Sequence, residues 1–168
     1  MVSTVKHSLI GGILAGMVFA MMEMVYGAFA KGSFFAPLKM IASLPLQQPP
    51  PQIPLGSAIV VGLITHMVFS MMFGLIAAVI ISQVPSAASS QSGIVIAASV
   101  VGLMLWPLNF YVIAPLLHAP WFATQTDWFW QGLVAHTIFF GTVLGMYLAS
   151  RLPKAAAMPE GGSVRAPG

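Results

Sequence analysis

Residues 55–81 read LGSAIVVGLITHMVFSMMFGLIAAVII, an apolar run whose only ionisable side chain is His66. A helix needs about 20 apolar residues to cross a hydrocarbon core of about 30 Å, and this run exceeds that length. Inside lipid every backbone N–H and C=O must find a partner within the protein, so the run has to be helical. Three more stretches of the same kind lie on either side of it: 8–30, with Glu23 its only charge, then 93–117 and 128–148. The sequence predicts an all-α integral membrane four-helix bundle, with the spanning domain in 1–152.

The composition agrees. The chain has 168 residues, 58% of them hydrophobic and 5% charged, whereas soluble domains are about 25% charged. Six Lys and Arg with three Asp and Glu cannot coat a water-soluble surface. The basic residues are scattered, so the clustered footprint that nucleic acid requires is missing. The lipid bilayer is the expected partner instead. With no cysteine, disulfides, thiolate metal sites and cysteine nucleophiles are excluded. No phosphate loop, GxSxG elbow or HExxH is present, so the expectation is a protein that is not an enzyme.

Lys6, Arg151, Lys154 and Arg165 lie at the two ends, against Lys31 and Lys39 in the first loop. By the positive-inside rule both termini are expected in the cytoplasm, with the first and third loops outside. Ala28-Phe29-Ala30 before Lys31 has the form of a signal cleavage site, but the length of the stretch and Glu23 inside it favour a retained span. In the first loop, Ala36-Pro37-Leu38-Lys39-Met40-Ile41 is too short to span and predicts a short interfacial helix. Pro49-Pro50-Pro51 predicts a stiff extended segment. Trp121, Phe122, Trp128, Phe129 and Trp130 predict an aromatic belt at the outer surface. Pro107 and Pro115 predict a kink or an early end in the third helix. Residues 82–92 read as a short Ser/Ala turn, and 153–168 as a disordered tail.

An internal match refines the bundle. Gly62-Leu63-Ile64-Thr65-His66-Met67-Val68-Phe69 pairs with Gly132-Leu133-Val134-Ala135-His136-Thr137-Ile138-Phe139, identical at four positions. Gly16 and Glu23 share their spacing with Gly102 and Asn109. The expectation is two tandem two-helix hairpins related by an axis along the membrane normal, with the second and fourth helices diagonal.

Each helix thus carries one polar residue. At 1.5 Å per residue, Glu23 and Asn109 fall roughly 6 to 8 Å below the outer boundary, and His66 and His136 about 12 to 16 Å deep. Ionisable groups in a span usually face the bundle interior and are functional candidates. Gly62 and Gly132 lie one turn before the histidines on the same face, and Gly16 and Gly102 share a face with Glu23 and Asn109. These glycines allow close helix contact or leave room for a bound group. Gly12 and Gly16 form GxxxG, as do Gly141 and Gly145. The second pair lies opposite His136, so it is expected to meet another surface, such as a membrane-protein partner or a second copy.

Three readings follow. In the first, Glu23, His66, Asn109 and His136 only fasten helices, in a structural or interaction subunit of a membrane complex. In the second, His66, His136 and Glu23 bind zinc, iron or copper, with Asn109 behind them and His118 as an added ligand. In the third, His66 and His136 are axial ligands of a haem b. Proton or solute translocation through Glu23 and a histidine stays beside them. Thr65 and Thr137 are expected to bond back to their own helices, and the twelve Met residues to serve packing.

Three pieces also resemble a group of uncharacterised bacterial four-helix inner-membrane proteins. They are the Glu-containing first helix followed by Ala36-Pro37-Leu38-Lys39-Met40-Ile41-Ala42, the block Gly62 to His66, and Asn109-Phe110-Tyr111 before Pro115. The resemblance implies a multi-pass protein of the bacterial inner membrane and attaches no activity to it.

Overall fold

The computed structural model of the chain describes residues 2–122 and 129–152. Its regular structure is all-α among those residues. The long elements are α1 (Val2–Lys31), α3 (Leu55–Ser82), α5 (Gln91–Leu116) and α6 (Phe129–Arg151). Each is long and apolar enough to cross a membrane, which makes this a multi-pass membrane protein. Between them lie the short helices α2 (Ala36–Leu46) and α4 (Pro85–Ala88). The aromatic residue Trp128, Asp127 and the tail 153–168 fall outside the described residues.

The four spans pack as an up-and-down bundle. α1 lies against α3, α5 against α6, and α1 also against α6. α3 and α6 have no substantial backbone contact with each other and so stand diagonally. Large apolar side chains also point outward, among them Met17, Val60, Ile64, Ile96, Met104 and Met146. Helices that are apolar all round belong in lipid or in a core, and these outward residues are where lipid would lie.

Lipid tails are as apolar as leucine, so the spans are held by close packing. Small residues provide it. Ser8, Ala15, Ala77 and Ala98 are fully buried. A Cβ at Gly74 would fall 2.8 Å from Gly12 Cα, which fixes the α1–α3 crossing. A Cβ at Gly102 would fall 2.9 Å from Gly141 Cα, and one at Gly145 would fall 2.8 Å from Val95 Cα. Gly141 and Gly145 therefore face α5 of the same chain, which corrects the expectation that they meet another surface. The π turn brings Gly141 against Gly102 beside the His136 carbonyl, so this face of α6 seals its own hairpin.

The loops depart from expectation in three places. Pro50–Gln52 forms a turn of 3-10 helix, not an extended segment. Proline suits the first positions of a helix, where its missing N–H has no partner to lose. Residues 82–92 contain the short helix α4. Phe122 is buried in a cap with Leu44, Ala114 and Ala119, and Trp121 packs against it, so these two rings turn inward. Trp130 does face outward, at 74% exposure.

α2 is the helix expected in the first loop, and it folds over one end of the bundle. Its Leu38 backbone lies directly on Gly62, whose bare Cα makes room for it. Gln47 closes α2 in the left-handed region at φ 53°. Its amide donates to Leu44 O at 2.5 Å and to Leu117 O at 2.8 Å. Trp121 Nε1 donates to Ser43 Oγ at 2.7 Å. The first and third loops are thus tied into one cap.

Candidate functional site

Beneath that cap lies a cavity of about 130 Å³. Glu23, His66, Asn109 and His136 all line it, one from each span, together with Ser70, Gln131 and several aromatic rings. Glu23 and His66 are each only 8% exposed.

Two stretches of the backbone are widened at this level. Asn109–Ile113 in α5 and Ala135–Thr142 in α6 are π-helical. The first lies between Pro107 and Pro115, where the i to i−4 ladder is already broken because proline has no N–H to donate. Pro107 does not end the helix, and the span stops at Leu116, one residue past Pro115, near where an early end was expected. Turns of this kind cluster at functional positions, and here they hold Asn109 and His136. Thr142 Oγ1 also donates to Thr137 O at 3.1 Å, five residues back within the π turn.

The hydrogen bonds fix the tautomers. His136 Nδ1 lies 2.7 Å from Gly132 O, and a carbonyl can only accept, so Nδ1 carries the proton. Nε2 is then an acceptor, and Asn109 Nδ2 donates to it at 3.2 Å. Asn109 is left with its oxygen free to accept. His66 Nε2 donates to Gly16 O at 2.8 Å, which leaves Nδ1 with a lone pair. Ser70 Oγ donates to His66 O at 2.7 Å. Gln131 Nε2 donates to Glu23 Oε1, while Gln131 Oε1 is buried without a partner.

These bonds join helices in a regular way. His66 ties α3 to α1, and Asn109–His136 ties α5 to α6. Glu23–Gln131 ties α1 to α6, across the two hairpins. At the other end of the same crossing, His7 Nδ1 and the Tyr147 hydroxyl are hydrogen-bonded at 3.1 Å. Ser99 Oγ and Thr142 Oγ1 add a further α5–α6 bond at 2.8 Å. Thr137 Oγ1 bonds back to Leu133 O at 2.7 Å. Sequence reading missed Gln131, Tyr147 and the Ser99–Thr142 pair.

The same geometry bears on cofactors. Phe19 packs on both imidazoles, stacked on His66 at 5.6 Å between centroids and edge-on to His136 at 4.7 Å. Both nitrogens of His136 and one of His66 are engaged in hydrogen bonds. Among the described residues no three His, Asp or Glu side chains gather as a metal-ligand set. His118 is exposed in the turn after α5, at φ 52°, and does not line the cavity. A haem ligated by both histidines would have to displace Phe19 and the Asn109–His136 hydrogen bond, so the residues as they stand do not fit one.

The matched blocks of α3 and α6 put their histidines at the same cavity, yet the two bond differently. His66 reaches a backbone carbonyl of α1, and His136 a side chain of α5. The glycines of the two blocks also differ in partner: Gly62 receives α2, and Gly132 receives the Trp106 indole. No family model, curated protein or solved structure matches the chain, so no family is assigned.

Proposed function

We propose that this is a non-enzymatic membrane subunit in which Glu23, His66, Asn109 and His136 fasten the four spans around an interior cavity. The observation that carries the reading is the pairing itself. Glu23 bonds to α6, His66 to α1, and Asn109 and His136 to each other between α5 and α6. Polar groups in a span are costly unless partnered, and such partners are what the bundle supplies. The scattered Lys and Arg support an orientation with both termini in the cytoplasm. The duplicated-hairpin reading rests on the matched His blocks and on the diagonal arrangement of α3 and α6.

Purified protein in detergent tests the fastening role against the cofactor readings. The expected absorption spectrum has no Soret band, and elemental analysis finds no metal approaching one per chain. A Soret band, or a stoichiometric metal that disappears in both His66→Ala and His136→Ala, would overturn the proposal.

A further inference from the structure

The fastenings leave the cavity with an unbalanced set of polar groups. The protons of Ser70, His66 and His136 are committed to carbonyl oxygens. Asn109 and Gln131 each use one N–H on a neighbour. What remains toward a ligand is mainly acceptor: the Glu23 carboxyl, the Asn109 oxygen, His66 Nδ1 and the buried Gln131 Oε1, which has no partner at all. Against them stand the second hydrogens of two amides; the unpartnered Trp106 indole N–H packs on Gly132, and Trp106 itself does not line the cavity.

Charge points the same way. Glu23 is the one acidic residue within the four spans, and its partner Gln131 is neutral. A buried carboxylate without a counter-charge is strongly disfavoured. The rest of the wall is apolar, and six rings, Phe19, Phe69, Phe73, Phe110, Phe122 and Phe140, contribute to it alongside aliphatic side chains. Faces of aromatic rings attract cations, most strongly where water is excluded. The size is also restrictive, since a cavity of about 150 Å³ holds benzene.

We infer that the cavity under α2 binds a small organic ammonium ion, an amine of about six heavy atoms that donates to Glu23, Gln131 and Asn109 with its hydrocarbon body among the phenylalanines. The site goes beyond the fastening role, because it uses the acceptors that fastening leaves over. α2 and Phe122 form its roof, so occupancy and the packing of the cap are linked.

The probe is cyclopentylamine, with cyclopentanol as its neutral counterpart of the same shape, titrated calorimetrically into the full chain in detergent micelles. The expected result is saturable one-to-one binding of the amine, at least tenfold tighter than the alcohol. Glu23→Gln removes that preference. Met40→Trp, a larger side chain at a cavity-lining position of α2, abolishes binding of both while the protein stays folded. Equal affinity for amine and alcohol would assign the site to neutral hydroxyl compounds and overturn the inference. So would an undiminished preference in Glu23→Gln, or the absence of saturable amine binding to the unmodified chain. The last comparison needs no variant to fold, and amine binding to the unmodified chain is read independently of whether the hydrogen bonds fasten helices.

Discussion

At the scale of single residues, the two histidines look alike in sequence and are not equivalent in what they support. His66 donates to Gly16 O, a carbonyl that is already part of the α1 hydrogen-bond ladder. His136 accepts from Asn109 Nδ2, and without it that amide has no ring to meet. Deleting one partner of a buried pair costs the desolvation of the group left behind, about 1 to 3 kcal/mol. His66→Phe should therefore lose only the net value of one bond, about 0.6 kcal/mol in membrane bundles, and His136→Phe clearly more. Thermal or denaturant unfolding in detergent ranks them, and the reverse order would show that the Asn109 amide finds another partner. Glu23, His66, Asn109 and His136 were legible in sequence because an ionisable or amide group stands out in an apolar run. Gln131 was not, because it lies at the start of α6 beside Trp130, where a polar residue is ordinary. Only the docking of the second hairpin on the first makes it Glu23's partner.

At the scale of elements, hydropathy alone located four spans, and small residues set how closely they approach. Which helix each glycine faces was not legible, because GxxxG gives spacing and not a partner. Gly74→Leu and Gly102→Leu should each destabilise the bundle strongly, since their side chains would enter the backbones of α1 and α6. Gly56→Ala is the contrast: nothing lies within 4 Å of the added Cβ, and the helix gains up to about 1 kcal/mol. Unfolding midpoints of the three variants measure this directly. The π turns of α5 and α6 were also illegible, although the two prolines flanking Asn109–Ile113 mark where the first became available. In the cap, Ser43→Ala removes the acceptor for Trp121 Nε1. Trp121 should then move more freely, which a lowered fluorescence anisotropy and easier quenching would register in a protein keeping Trp121 as its sole tryptophan.

For the whole molecule, the expected plan was two hairpins joined by a short turn, and the bundle has that plan. The link between them is thin on the α3–α5 side and thicker on the α1–α6 side, where Glu23–Gln131 and His7–Tyr147 stand near opposite ends. Reporter fusions within 82–92 should read cytoplasm, and a signal from the opposite side of the membrane would invert the proposed orientation. If intramembrane polar residues join the helices, the bond between Asn109 and His136 must couple α5 to α6. A double-mutant cycle on Asn109→Leu and His136→Phe, read by reversible unfolding in detergent, isolates the bond between α5 and α6. The predicted coupling is favourable, about 0.6 kcal/mol and not above about 1.7 kcal/mol. Additive effects of the two substitutions would contradict the claim.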